Sequence, residues 1–219
     1  MHLKTLKDYP EISLNLQDLT EPFNHTGIFG NNRPLHIEIG SGKGTFILNQ
    51  AKNNPQTNFL GIEWANKYYR YTVDRLGRWK ITNARLIRTD AEAFIADFIP
   101  SASVECFHIY FPDPWPKKRH HKRRFINRNN LDQMIRCLLP AGTIRIATDH
   151  AEYFEAITKL LKSNTDRLEL TDFFPATGTI PGEWVGTNFE KKYLKQGQPI
   201  YTMAAQKISL LDRYSIYSQ

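Results

Sequence analysis

The sequence predicts a doubly wound α/β fold, a mostly parallel seven-stranded sheet with helices on both faces. Three observations predict it. Five short apolar runs alternate with stretches of helical length and period. A glycine-rich turn joins the first run to the first helix. Two further apolar runs follow the last helix and read as an antiparallel ending at one sheet edge.

The five strand candidates are 35–40 (LHIEIG), 58–63 (NFLGIE), 84–89 (ARLIRT), 104–111 (VECFHIYF) and 143–148 (TIRIAT). Each ends in polar or turn residues. The helical stretches are 44–53, 66–79, 91–98 and 129–139, followed by the amphipathic AEYFEAITKLLKS after Asp149. The last two strand candidates, 167–174 and 199–208, are separated by a Gly/Pro-rich loop at 175–197 whose first half has no helical pattern. Residues 1–30 read as irregular, with Pro10, Pro22 and Gly27 breaking any period. No internal repeat or low-complexity linker interrupts the chain, so its 219 residues are expected to form one domain with a sizeable core.

Composition narrows the setting. No run of about 18 apolar residues is present, so no membrane span is expected. The N-terminus lacks the apolar block of a secretory signal. Cys106 and Cys137 sit in apolar neighbourhoods and are expected to be reduced core residues of a cytoplasmic protein. The seven histidines are scattered apart from His120 and His121, so no metal site is expected. The net charge of +7 is local. Residues 117–124 (KKRHHKRR) carry six cations and no acid, and without them 23 cations face 22 acids. A patch of that kind points to a polyanion docking at one place.

Three motifs carry chemistry. The first, EIGSGKG, runs through Glu38, Gly40, Gly42 and Gly44 at the turn from strand to helix. Glycines there allow a sharp turn and close approach of a ligand. The spacing is neither the G-x-G-x-x-G of dinucleotide enzymes nor a P-loop. Alone it fits a nucleotide-like ligand or a merely structural turn. The second motif is a set of acids. Glu38, Glu63 and Asp90 stand at three successive strand ends, where this architecture binds ligands. Any one of them fits a solvated strand end equally well. Together with the glycine turn they suit an adenosine-like ligand, Glu63 accepting from the ribose hydroxyls and Asp90 from the adenine amino group. Their negative charge favours a cationic sulfonium over a diphosphate.

The third motif is FPDPWPKKRHHKRR at 111–124, where the fourth strand ends. Pro112, Pro114 and Pro116 stiffen the loop around Asp113 and Trp115. A charge run is ordinarily a solvated face, but this one abuts a rigid loop at the expected catalytic edge. It reads better as a phosphate-binding segment. Trp115 fits packing under the loop better than stacking on a base. Tyr68, Tyr69 and Tyr71 share a helix and read as packing.

From Leu35 to Ile208 these motifs resemble, in order and spacing, those of the tRNA (guanine-N7)-methyltransferase family of bacterial single-chain type. The matching strings are EIGSGKG, GIEW at 61–64, TDAE at 89–92, PDPWPKKRHHKRR, ATD at 147–149 and TNFE at 187–190. His150 departs from the asparagine usual in that family. The resemblance implies a class I, Rossmann-like methyltransferase fold. It implies S-adenosylmethionine as cofactor, S-adenosylhomocysteine as product and no metal, with N7 of a tRNA guanine, at position 46 of the variable loop, as the target. It places Glu38, Gly40, Gly42, Glu63, Asp90 and Asp113 at the cofactor, with Asp113 catalytic. It assigns Lys117, Asp149, Thr187, Asn188, Phe189 and Glu190 to the substrate nucleotide. It assigns Arg119, His120, His121, Lys122, Arg123 and Arg124 to the RNA. The implied partner is tRNA, for a monomer or homodimer with no obligatory protein partner and no membrane. The rival readings are a methyltransferase for a small molecule or protein, a non-catalytic RNA-binding module, and an oxidoreductase, which the glycine spacing disfavours.

Overall fold

The computed structural model describes residues 5–19 and 22–209. Parts of the expected irregular segment, 1–4 and 20–21, lie outside the described residues, as do 210–219. The strands are β1 (Ser13–Leu14), β2 (Leu35–Ile39), β3 (Asn58–Ile62), β4 (Ala84–Ile87), β5 (Val104–Tyr110), β6 (Leu138–Thr148), β7 (Leu168–Thr171) and β8 (Tyr201–Lys207). They form one sheet in the order β1-β4-β3-β2-β5-β6-β8-β7. Only β8 runs antiparallel, to β6 and β7. The sheet therefore has eight strands where the sequence predicts seven. The extra strand is β1, which pairs Ser13 with Leu86 and Leu14 with Ile87. Two residues are too short to show a period of two, so this strand leaves no pattern in the sequence. The described part of that expected irregular stretch also holds a 3₁₀ turn, Leu16–Asp18, and the helix α1, His25–Phe29.

The remaining helices are α2 (Thr45–Asn53), α3 (Asn66–Arg78), α4 (Ala91–Asp97), α5 (Arg128–Cys137), α6 (Ala151–Lys162) and α7 (Asn188–Lys195). Their apolar stripes divide between the two sheet faces. Ile47, Leu48 and Ala51 of α2 and Val73 and Leu76 of α3 pack on Phe59 and Leu86. Phe94 and Ile95 of α4, Leu131 and Met134 of α5, and Tyr153, Ile157 and Leu161 of α6 pack with Ile37, Leu60, Phe107, Ile109 and Ile146. Central strands buried on both faces read as continuous apolar runs, which is why they were visible in the sequence. No helix among the described residues is long and apolar enough to cross a membrane.

The chain builds outward from β2 to β3 and β4, then returns to set β5 against the other side of β2. The carboxyl ends of β2 and β5 therefore part at a reversal of strand order, where open α/β sheets form ligand crevices.

Candidate active site

The glycine turn after β2 is tied down before any ligand arrives. The Gly40 and Ser41 amides donate to the Ile62 carbonyl at 2.8 and 3.2 Å. Gly44 has φ of +64°, and a Cβ there would lie 2.3 Å from Thr72 Cγ2. Only glycine accepts both that backbone and that approach to α3. Gly40 is different. Its φ is +74°, and a Cβ would meet nothing within 4 Å. That open space belongs to a cavity of about 260 Å³ lined by Glu38, Gly40, Gly42, Tyr68, Tyr110, Thr187, Asn188 and Phe189, among others.

Glu38 is buried, and its Oε2 has no hydrogen-bond partner. Burial, followed by the neighbouring Glu63 charge, pushes its carboxyl well above the ordinary value of 4.5. A buried carboxyl oxygen without a donor, beside an open cavity, suits a cationic or hydrogen-bonding ligand group. Glu63 is buried too, but it is engaged. Its Oε2 accepts from the Gly42 amide at 2.7 Å and its Oε1 from the Ala65 amide at 2.8 Å. It locks the glycine turn to the end of β3. A carboxylate offers about four acceptor sites, so two hydroxyl donors can still be received. Asp90 is exposed and caps α4, its Oδ1 accepting from the Ala93 amide at 3.0 Å.

The loop after β5 carries strain. Phe111 and Trp115 hold φ of +54° and +43°, values that non-glycine residues adopt at a cost. Prolines on either side and a buried cation keep them there. The Arg124 Nε donates to the Pro114 carbonyl at 2.8 Å, its two terminal nitrogens grip Glu152, and its guanidinium lies 4.6 Å from the Tyr153 ring centre. Arg124 is only 5% exposed. The side chain expected to meet RNA is thus turned inward and anchors the loop. His121 joins it, 3.1 Å from the Arg124 guanidinium. His120 sits edge-on to Trp115 at 5.9 Å, and Arg123 stacks over the same indole at 5.0 Å. Trp115 therefore packs within its own loop. Lys117, Arg119, Lys122 and Arg123 are exposed, as is Asp113.

The late loop has its own buried anchor. The Glu190 carboxylate accepts from three successive amides, Trp184 at 2.5 Å, Val185 at 3.0 Å and Gly186 at 2.6 Å. Glu190 is 0% exposed, so its carboxylate is the hub of the loop rather than a group reaching into the cavity. Thr187 caps α7 by accepting from the Glu190 amide at 3.1 Å. The string TNFE has the spacing of a capping box, so it marks a helix start as well as a family motif. Asn188 and Phe189 remain exposed at the cavity. Phe189 and Tyr193 flank Phe111 at 6.2 and 5.6 Å between ring centres, joining α7 to the end of β5. Burial, then the neighbouring Asp149 carboxylate, pushes the Tyr193 hydroxyl above its ordinary value. His150 caps α6, its Nδ1 accepting from the Tyr153 amide at 3.2 Å. An asparagine would serve the same cap.

The cavity thus unites Glu38, Gly40 and Gly42 with Thr187, Asn188 and Phe189. Glu63, Asp90, Asp113, Lys117, Asp149 and Glu190 stand outside its lining. Tyr68, expected to serve packing, lines it as well, as do Tyr110 and Lys192, which none of the motifs includes. Their signal was positional. Tyr110 ends β5, Tyr68 lies in the first turn of α3, and Lys192 is four residues after Asn188 on one helix face.

A family profile described as putative methyltransferase matches residues 32–203. A tRNA (guanine-N(7)-)-methyltransferase of Rhodopirellula baltica is 36% identical over 200 residues, 88% of this chain and 73% of that protein. One of Listeria monocytogenes is 34% identical over 202 residues, 92% of each. Among solved structures, a 30S ribosomal A1408 methyltransferase from an uncultured bacterium superposes with a TM-score of 0.55 at 18% identity, covering 84% of this chain and 92% of that one. A putative methyltransferase of Streptococcus mutans in complex with SAH gives 0.54 at 10% identity, covering 81% and 90%. At such identities these two speak for the fold alone, and it is the Rossmann-like methyltransferase fold expected from the sequence.

Proposed function

This chain belongs to the tRNA (guanine-N(7)-)-methyltransferase family, and from that premise we propose that it transfers the methyl group of S-adenosylmethionine to N7 of a guanine in tRNA, at position 46 of the variable loop. The observation that carries the reading is the shared cavity. Groups suited to a cationic cofactor and groups suited to a nucleobase line one space of about 260 Å³.

The residues present fit that cofactor. Glu38 offers a buried oxygen lacking a donor. Gly40 leaves room where any side chain would intrude. Glu63 retains acceptor capacity beside the turn it holds. Asp90, at the next strand end, extends the acidic wall. When bound, S-adenosylmethionine supplies an electrophilic methyl group on a positively charged sulfur.

Guanine N7 carries a lone pair and no proton, so the protein needs no strong general base. Its task is to hold the acceptor in line, which is worth roughly 7–11 kcal/mol of a barrier. Phe189, 51% exposed at the cavity, offers a face on which a base can stack. Asn188, Asp149 and Lys117 supply polar groups around it. An ionised Asp113 accepts from the N1 and N2 edge of guanine, stabilises the positive charge that the purine gains, and rejects adenine. N7 lies in the deep, narrow groove of A-form RNA, so the target nucleotide is flipped out or its loop opened. Arg119, Lys122 and Arg123 face solvent and hold the RNA backbone. Arg124, His121 and Glu190 act indirectly, by fixing the two loops that present these groups.

The test is direct. Methyl-labelled cofactor is incubated with bulk tRNA, and the digested nucleosides are separated. Labelled 7-methylguanosine is expected, and it should vanish from a transcript in which position 46 is adenosine. Label in another nucleoside, or none with folded protein, overturns the reading.

A further inference from the structure

A second chemical site lies on the other side of Phe46, whose ring borders both the cofactor cavity and a separate cavity of about 320 Å³. Cys106 and His108 alternate along β5 and so share one face. His36 on β2 is the register partner of Cys106. The three side chains converge, with one ligating atom from each lying within 4.8 Å of the others. We propose that His36, Cys106 and His108 form a three-ligand site for a thiophilic divalent cation, with zinc the best fit.

The spacing of the two nitrogens suits such an ion. His36 Nδ1 and His108 Nε2 are 3.0 Å apart. Two nitrogens on one tetrahedral zinc stand about 3.3 Å apart, given bonds of about 2.0–2.1 Å. A few tenths of an ångström of opening, in a cleft bordered by free space, admits the ion. One thiolate with two imidazoles is a donor set that zinc favours over magnesium or calcium. Three protein ligands facing a cavity leave the fourth position to water, the arrangement of an open site.

Each ligand is also held from behind. His36 Nε2 lies 2.8 Å from Glu105 Oε2, His108 Nδ1 lies 2.8 Å from the Tyr110 hydroxyl, and Thr143 Oγ1 donates to Cys106 Sγ at 3.2 Å. A carboxylate behind a histidine ligand fixes its tautomer and raises its basicity. The Glu105 charge and a Cys106 thiolate together balance a divalent ion. Arg145, the other charge lining the cavity, donates to the Phe174 carbonyl and lies over the Phe173 ring at 4.2 Å, and it keeps its positive charge there.

Binding forms one metal–sulfur and two metal–nitrogen bonds and releases one proton, from the Cys106 thiol to solvent. His36 keeps its proton on Nε2, toward Glu105. His108 carries its proton on Nδ1, toward Tyr110. Because the Tyr110 hydroxyl then accepts from His108, its own proton turns elsewhere, and Tyr110 lines the cofactor cavity. The site therefore lies one side chain from the acidic wall without belonging to it.

The experiment adds cobalt(II), then zinc(II), to the chelator-treated full chain. One cobalt per chain is expected, with a sulfur-to-cobalt charge-transfer band that zinc abolishes and one proton released per ion. Cys106→Ser should lose the band and Cys137→Ser should keep it. Cys137, the other thiol, lies buried against the Ile95 and Ile99 carbonyls. Glu105→Gln should weaken binding about 10-fold or more. His36→Ala removes a ring that is 21% exposed and is expected to fold, so it tests the site if Cys106→Ser does not. It should weaken binding at least 100-fold. No sulfur band, a band that survives Cys106→Ser, or equal affinity in His36→Ala and the parent chain overturns the proposal.

Discussion

The two halves of the crevice are built on opposite plans. On the cofactor side, at the ends of β2 and β3, the chemistry-bearing residues are themselves buried. Glu38 and Glu63 sit within the fold, one waiting for a donor and the other already serving backbone amides. On the substrate side, at the ends of β5 and β6 and in the late loop, the groups offered to a nucleic acid are exposed, apart from the half-buried Asp149. What is buried there is their support, Arg124 under one loop and Glu190 under the other. A preformed small-molecule site can be carved into a core, whereas a surface that meets RNA must stay in water and borrow its rigidity from buried ionic anchors. Charge and type alone do not separate a ligand-binding residue from an anchor; burial and partners do.

The strongest way to break this comparison is at Glu190. Replacing it with alanine leaves three amides without an acceptor, and the two buried ones, Val185 and Gly186, each cost about 1–3 kcal/mol. Glu190→Ala should lose on the order of 3–5 kcal/mol in denaturant unfolding and open the late loop to proteolysis. Asn188→Ala, one turn end away and exposed, should keep the parent stability while weakening tRNA. Equal stability of the two variants would return Glu190 to the role of substrate ligand. On the other loop, Asp113→Asn should lower kcat about 100-fold, the scale of one preorganised electrostatic contact, with tRNA affinity unchanged in a filter-binding measurement. Full kcat would remove Asp113 from the reacting edge.

Adjacent arginines sharpen the contrast with smaller effects. Arg124→Ala should cost about 1–2 kcal/mol, since its partner Glu152 is 52% exposed and the pair is partly screened. Arg123→Ala should leave stability within about 0.5 kcal/mol of the parent but reduce the dependence of log affinity on log salt by about one. Reversed outcomes would exchange the anchor and the RNA contact.

How much was legible follows from the same division. The five central strands and their helices were readable because burial on both faces leaves apolar runs and helical stripes in the sequence. The glycine turn and the acids at the strand ends were readable because their spacing reflects a local backbone need. Arg124 and Glu190 were legible as charges but not as anchors. Their partners, Glu152 and the 184–186 amides, lie 28 and 4–6 residues away, and nothing in the string says which charges turn inward. TNFE was the exception, since its capping-box spacing announces a helix start. The convergence of His36 with Cys106 and His108 was hidden for a topological reason. It depends on β2 and β5 being neighbours, a pairing 72 residues long between His36 and His108.

The smallest expected effect concerns Glu38, and it tests whether the cofactor side carries its tension before any ligand binds. Burial and Glu63 raise the Glu38 carboxyl well above 4.5 in the folded chain. A group with a raised folded value binds its proton more tightly folded than unfolded, so its stabilisation is complete below 4.5 and is lost as pH rises through the folded value. The ligand-free protein should therefore lose stability across that window, and Glu38→Gln, which cannot ionise, should lose less. Thermal melts of the two proteins over a pH series should diverge upward in pH, with the variant gaining relative to the parent. Saturating S-adenosylmethionine should close the gap, because a cationic ligand beside the carboxylate favours its charged form. Parallel melting curves without ligand would mean that Glu38 is relaxed in the empty cavity. The two sides of the crevice would then differ in exposure but not in stored electrostatic strain.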